Sequence, residues 1–95
     1  MSTAPNGKPQ QVTLADGRSV DSADPAWREE CLVRHRHVTN MRSMDRLARN
    51  DYVERVARHG GAELARRLKL AYGDDFERRK AAQQDLLRSV QAPRP

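Results

Sequence analysis

The chain has 95 residues, enough for one small domain, and with 37% apolar, 33% charged and 4% aromatic residues its core can only be modest. A lone cysteine excludes an internal disulfide framework, no stretch reaches the roughly 18 apolar residues of a membrane span, and residues 1–10 lack the apolar run of a signal peptide, so the chain reads as cytoplasmic with no membrane partner. The formal net charge of +5 invites an acidic partner, provided the excess is gathered in one place.

Residues 1–10, with Pro5, Gly7 and Pro9 among Ser2, Thr3 and Asn6, are expected to form a disordered arm. Residues 11–20 read as a β-hairpin around Asp16-Gly17, a strong turn dipeptide. A three-residue loop, Ala15-Asp16-Gly17, pairs Leu14 with Arg18 and Val12 with Val20, and places Val12, Leu14 and Val20 on one face. A two-residue loop would split that set between faces, because a one-residue slip turns every side chain over; burial selects the longer loop. Two strands alone are marginal, so the apolar face must dock on helices.

Asp24 suits the N-cap of a first helix over 25–39, with Pro25 at its first position. Trp27, Cys31, Arg34, Val38 and Met41 share one stripe, and Trp27 is the expected core anchor. Ser43 then caps a second helix over 44–59, on which Met44, Leu47, Tyr52 and Val56 drift around the surface and predict a bend near Asn50. Gly60-Gly61 ends it. A third helix over 62–72 carries the cleanest stripe, Leu64, Ala65, Leu68, Ala71 and Tyr72, and Gly73 reads as its stop. A fourth helix, from Asp74 or Asp75 to about Val90, has a thin face of Phe76, Gln83, Leu87 and Val90 with Leu86 beside it, and is expected to fray. Residues 91–95 read as a flexible tail. The expected architecture is mainly α: a short N-terminal β-hairpin followed by a small bundle of three to four helices, one domain over 11–90.

Seven acid-to-arginine pairs stand at i,i+4: Glu30–Arg34, Asp45–Arg49, Asp51–Arg55, Glu54–Arg58, Glu63–Arg67, Asp74–Arg78 and Asp75–Arg79. All run acid first, each worth ~0.2–0.5 kcal/mol, and they assign much of the arginine to solvated helix faces. What remains concentrates in 34–49, where five arginines, His35 and His37 stand against one acid, Asp45. Arg34, Arg36, His37, Arg42, Arg46 and Arg49 are therefore the candidate binding surface for a phosphate backbone or an acidic protein. The competing reading is a hydrated helix end whose cations complement the dipole. Nucleic acid is the weaker partner, because no aromatics interleave with the basic residues and the link at 40–43 lacks the glycine of a helix-turn-helix.

No catalytic or metal site is legible. Cys31 and His35 share a helix face, but His37 points away, and only His59 could complete a four-ligand zinc site. Cys31, on the apolar stripe, reads as a small hydrophobe rather than a nucleophile. The glycines are isolated helix ends rather than a phosphate loop, so neither a cofactor nor enzyme activity is expected. Leu70 lies opposite the core stripe among Glu63, Arg66 and Arg67 and, with the thin last helix, is a candidate contact for a partner or for self-association.

Four motifs stand out along the chain: Leu14-Ala15-Asp16-Gly17-Arg18; Trp27-Arg28-Glu29-Glu30-Cys31 followed by Arg34; Asp51-Tyr52-Val53 with Val56; and Gly60. Through them the stretch 12–60 resembles a group of small uncharacterised bacteriophage and prophage proteins that look like a short hairpin followed by helices. The chain departs from that pattern at His59, where arginine is common, and in its long segment beyond Tyr72. The resemblance implies a phage or prophage setting in a bacterial host cell and no chemistry. The resulting expectation is a protein-binding or regulatory module whose partner is an unidentified bacterial or phage protein, with nucleic-acid binding through Arg34 to Arg49 as the alternative.

Overall fold

Five elements follow one another in a computed structural model that describes residues 10–91: β1 (Gln11–Thr13), β2 (Ser19–Asp21), α1 (Pro25–Met41), α2 (Arg46–Gly60) and α3 (Ala62–Gln91). Apart from Gln10 and Gln91, the expected arm and tail lie outside the described residues. The chain is mainly helical, with an N-terminal antiparallel hairpin ahead of three helices.

The hairpin takes the register that burial selects. Val12 stands opposite Val20, Leu14 N–H donates to the Arg18 carbonyl at 2.8 Å, and Gly17, at φ 95°, donates to the Leu14 carbonyl at 2.9 Å. Leu14 is buried and the two valines are half-buried, while Gln11, Thr13, Ser19 and Asp21 face water. Asp16 reinforces the turn by accepting from the Arg18 backbone N–H at 3.0 Å.

Asp24 caps α1, its carboxylate accepting from the Ala26 N–H at 2.8 Å with Pro25 in the first turn, and the helix runs to Met41 rather than ending at 39. The second helix departs from the sequence reading in two ways. Its cap is Asp45, which accepts from the Ala48 N–H at 2.9 Å, in place of Ser43, and it runs unbroken through Asn50. The drift in its apolar residues means that they serve different neighbours: Val56 is buried, Tyr52 and Val53 are partly covered, and Leu47 is left 76% exposed.

The expected third and fourth helices are one helix. Gly73 does not stop it, because a glycine ends a helix by taking a positive φ, and among the described residues only Gly17 and Gly61 do so. Gly61 is the true punctuation. At φ 97° and ψ 160° it occupies a region open essentially to glycine alone, donates its N–H to the Ala57 carbonyl at 2.9 Å to close α2, and accepts from the Ala65 N–H at 3.2 Å to open α3. One residue thus reverses the chain. The two glycines should respond oppositely to alanine. A Cβ at either site meets no atom within 4 Å. Gly61→Ala should therefore cost about 1–3 kcal/mol of backbone strain, and Gly73→Ala should gain about 0.5–1 kcal/mol of helix propensity, both read from urea midpoints.

Both α1 and α2 pack on α3. Val38 and Met41 from α1, Val56 from α2, and Ala65 and Leu68 from α3 make the core, with Leu68 completely buried. Trp27 is not its anchor. It is only half-buried and sits with Val12, Leu70 and Ala71 around a groove where hairpin, α1 and α3 meet, about three helical turns before Val38, the first α1 residue of the core cluster. The whole is elongated, with a radius of gyration of 17.6 Å where a compact chain of this size has about 12 Å. The cause is α3, about 45 Å long at 30 residues, whose second half has nothing packed on it.

Candidate functional site

The basic segment does not assemble into one surface. Arg34 Nη1 donates to Glu30 at 3.0 Å, and its guanidinium lies 5.8 Å from the Trp27 ring centre. Arg42 reaches across to α3, donating from Nε and Nη2 to the two Asp75 oxygens at 3.1 and 2.7 Å. Arg49 donates to the Met44 carbonyl at 2.7 Å and covers the Tyr72 ring at 5.1 Å. The Tyr52 hydroxyl lies 2.6 Å from His37 Nδ1 and accepts from Asn40 Nδ2 at 3.2 Å. Burial, and then the Arg36 charge, hold His37 below its ordinary pKa and favour the neutral imidazole. Of the six candidates, Arg36 and Arg46 remain without a side-chain partner among the described residues. Arg34, His37 and the Arg46–Arg49 pair line three different grooves.

Most of this positive charge is structural. Asp75 is the one buried charged residue among those described, and it holds Arg42, the C-cap of α1, and Arg79 of its own helix, the latter at 2.8 Å. The Arg42 and then the Arg79 hydrogen bonds hold its carboxyl well below the usual carboxylate range. Glu30 is a second junction. It accepts from the Ala15 N–H of the hairpin at 2.8 Å, from Arg34, and from Arg67 of α3 at 2.7 Å, tying three elements together. Burial pushes its carboxyl up, but the Ala15 amide and the two guanidiniums outweigh that and leave it lowered. Three of the seven expected i,i+4 pairs form, Glu30–Arg34, Glu63–Arg67 and Asp75–Arg79, and all three share an acid with a further arginine. Glu30→Gln should cost about 1–2 kcal/mol and raise the exchange rate of the Ala15 amide more than amides of α2, as read by hydrogen exchange.

Aromatic and basic residues do meet in space, contrary to the expectation from their separation in sequence. Tyr72 and Phe76 stack at 6.4 Å, with Arg79 beside both rings, and Arg55 lies 5.6 Å from the Tyr52 centre. Each such ring face is already occupied by the chain's own guanidinium, so none of these faces offers an open platform for a base.

Two surface features remain. A groove of about 490 Å³ between α2 and α3 is lined by Arg46, Arg49 and Lys69 with Met41 and Tyr72, and Glu54 is its acid. Lys69 joins this groove only through the fold, being twenty residues from Arg49. The second feature is the far half of α3. At about 100° per residue, Phe76, Gln83, Leu87 and Val90 continue the line begun by Ala65, Leu68 and Tyr72. The first part of that line lies under α1 and α2. The continuation is open, with Leu86 at 65% and Val90 at 74% exposure.

Leu70 is exposed, as its position predicts. Among the described residues no three His, Cys, Asp or Glu side chains gather to hold a metal ion; His59 shares a groove with His37 and Tyr52, without Cys31 or His35. No described helix is long and apolar enough to cross a membrane. The fold and surface define a class no narrower than small, basic helical proteins with a hairpin and a free-standing helix end. No protein-family model, curated protein or solved structure matches the chain.

Proposed function

We propose that the chain is a small protein-binding module, of the phage or prophage type that its motifs resemble, and that it binds through the ridge of α3 from Phe76 to Val90. One observation carries the reading: the line that packs Ala65, Leu68 and Tyr72 against α1 and α2 runs on through Phe76, Leu87 and Val90 with no other element packed on it. A helix this polar gains little from its own propensity, and apolar residues that recur on the core line past the end of the core are what a partner helix covers. The basic segment is not needed for this contact, because most of its cations are engaged within the fold.

The test is affinity capture from a bacterial lysate with three forms of the chain. The wild type and Arg36→Ala/Arg46→Ala should retain the same protein, and Leu86→Lys/Leu87→Lys should lose it while keeping its circular dichroism. Equal capture by the ridge variant would sink the reading. The groove cations Arg46 and Lys69 favour a second reading, binding to nucleic acid. It requires micromolar affinity for DNA or RNA that weakens steeply with salt and is lost in Arg46→Ala/Lys69→Ala. No binding at low salt removes it.

A further inference from the structure

From the groove between α2 and α3 we infer a binding site for a small sugar phosphate, with Arg46 and Arg49 on the phosphate and Glu54 and Lys69 on the hydroxyls. The inference stands apart from the ridge on the far half of α3, and neither depends on the other.

In this groove the fold gathers cations from two helices without bonding an acid to them. In the groove beside Trp27 the arginines are claimed, Arg34 and Arg67 by Glu30 and Arg66 by Glu63. The groove that holds Arg55 and Arg58 also holds Asp51 and Glu54. Arg46, Arg49 and Lys69 line one space and form no ion pair among the described residues. Asp45, one turn before Arg49, is engaged with the Ala48 N–H as the cap of α2, and Glu54 lines the groove without bonding any of the three.

The two ends of the groove differ in chemistry. Arg46, Arg49, Asn50 and Glu54 share one face of α2, along which Arg46 and Glu54 stand about 12 Å apart. Arg49 Nη1 donates to the Met44 carbonyl at 2.7 Å and its guanidinium lies 5.1 Å from the Tyr72 ring centre, so the side chain is held in place. Its other N–H groups have no acceptor among the described residues. With Arg46 beside it, this end carries two positive charges, which match the roughly −1.5 to −2 of a phosphate monoester at neutral pH. The chain reverses at Gly61, so one turn nearer the reversal than Tyr72, Lys69 stands across from Val53 and Glu54. An ammonium and a carboxylate there, not bonded to each other, supply the donors and acceptors that neighbouring hydroxyls need.

The groove volume of about 490 Å³ falls within the roughly 300–1,000 Å³ of small-ligand clefts. A nucleic acid fits less well. Phe76, Arg49 and Arg79 occupy the Tyr72 ring, so a base has no open face to stack on, and a strand running past Glu54 meets Asp51 in the next groove.

Ribose 5-phosphate and glucose 6-phosphate are the probes, titrated into the isotope-labelled full chain and followed by amide chemical shifts. At least one should shift the amides of 46–54 and 69–72 saturably, with Kd below about 1 mM and about tenfold tighter than inorganic phosphate. Arg46→Gln should weaken that binding about tenfold or more. Glu54→Gln should weaken the sugar phosphates and strengthen inorganic phosphate, because the carboxylate serves hydroxyls and repels a bare anion. Leu86→Lys/Leu87→Lys should bind as the wild type does. No saturable shift with either probe up to ~10 mM overturns the site. Inorganic phosphate binding as tightly as both esters overturns the sugar phosphate as its ligand, and equal binding by Arg46→Gln overturns the groove as its place. An oligothymidylate that binds more tightly than both esters, and weakens steeply with salt, overturns the inference in favour of nucleic acid. Arg46 and Glu54 are exposed and bond no other side chain among the described residues, so an otherwise unchanged amide spectrum verifies that each variant folds.

Discussion

Leu68→Ala should remove about 3 kcal/mol of stability, measured by urea unfolding followed at the helical dichroism band. Leu68 has no exposed surface and is the point on α3 where both other helices converge. Truncating it loses the transfer energy of the removed carbons and leaves a void, which together cost about 2–5 kcal/mol in well-packed cores. Few other residues share the load: the core cluster comprises Val38, Met41, Val56, Ala65 and Leu68. In a domain of this size, whose total is at the low end of about 5–15 kcal/mol, the loss should lower Tm by more than ~10 °C. A loss below about 1 kcal/mol would mean that α1 and α2 do not close on α3 at this point.

The second large effect is expected at Asp75. Asp75→Asn keeps the shape but removes the charge and one acceptor oxygen, leaving Arg42 and Arg79 to share a single neutral amide oxygen. Hydrogen bonds to charged groups are worth about 1.5–3 kcal/mol, and the arginines are partly solvated, so the expected cost is about 2–3 kcal/mol. A double-mutant cycle with Arg42→Gln should show clear coupling, because the contact joins α1 to α3 across 33 residues of sequence. Additive losses would mean that the bond is not made in solution.

The pH dependence of stability follows from the same groups. The folded carboxyls of Asp75, Glu63 and Glu30 lie below their ordinary values; for Glu63, hydrogen bonds from Arg66 and Arg67 bring the pKa to about 2. Their stabilisation is complete above the unfolded pKa values, near 3.8 for Asp and 4.5 for Glu, and disappears as pH falls through the folded ones. His37, also lowered, adds a loss that starts below its unfolded value of 6.5, since its neutral form is the one the fold prefers. Stability should therefore decline on acidification, gently below 6.5 and steeply below 4.5. Asp75→Asn should make the acid limb shallower.

These interactions alter what the arginine content means. In sequence it divides into i,i+4 ladders and a basic cluster. In the structure Arg42 and Arg67 bolt helices together, Arg34 lies in the same junction as Arg67, and Arg49 caps a carbonyl and a ring. With few aromatics and a small apolar core, the domain uses guanidiniums both as long donors and as flat covers for ring faces. On the proposed reading, the surface offered to a partner is an apolar ridge in place of a basic patch.

Local structure was legible from the residues alone. Turn chemistry and alternation set the hairpin and its register, Asp24-Pro25 set the start of α1, and the stripe from Leu64 to Tyr72 marked the face of α3 that is buried, because each depends on residues within a turn or two of one another. The rest depended on which elements meet in space. Gly73 stays helical because the helix ladder continues through it, and the Asp75 contact that helps hold the next turn comes from a residue 33 positions earlier. Trp27 yields the core to Met41 and Leu68 because the crossing of α1 over α3 lies at the far end of α1. The basic segment lost its unity for the same reason: Glu30 and Asp75, the acids that claim Arg34 and Arg42 there, take further partners from other elements, and no spacing along the chain reveals which helices meet.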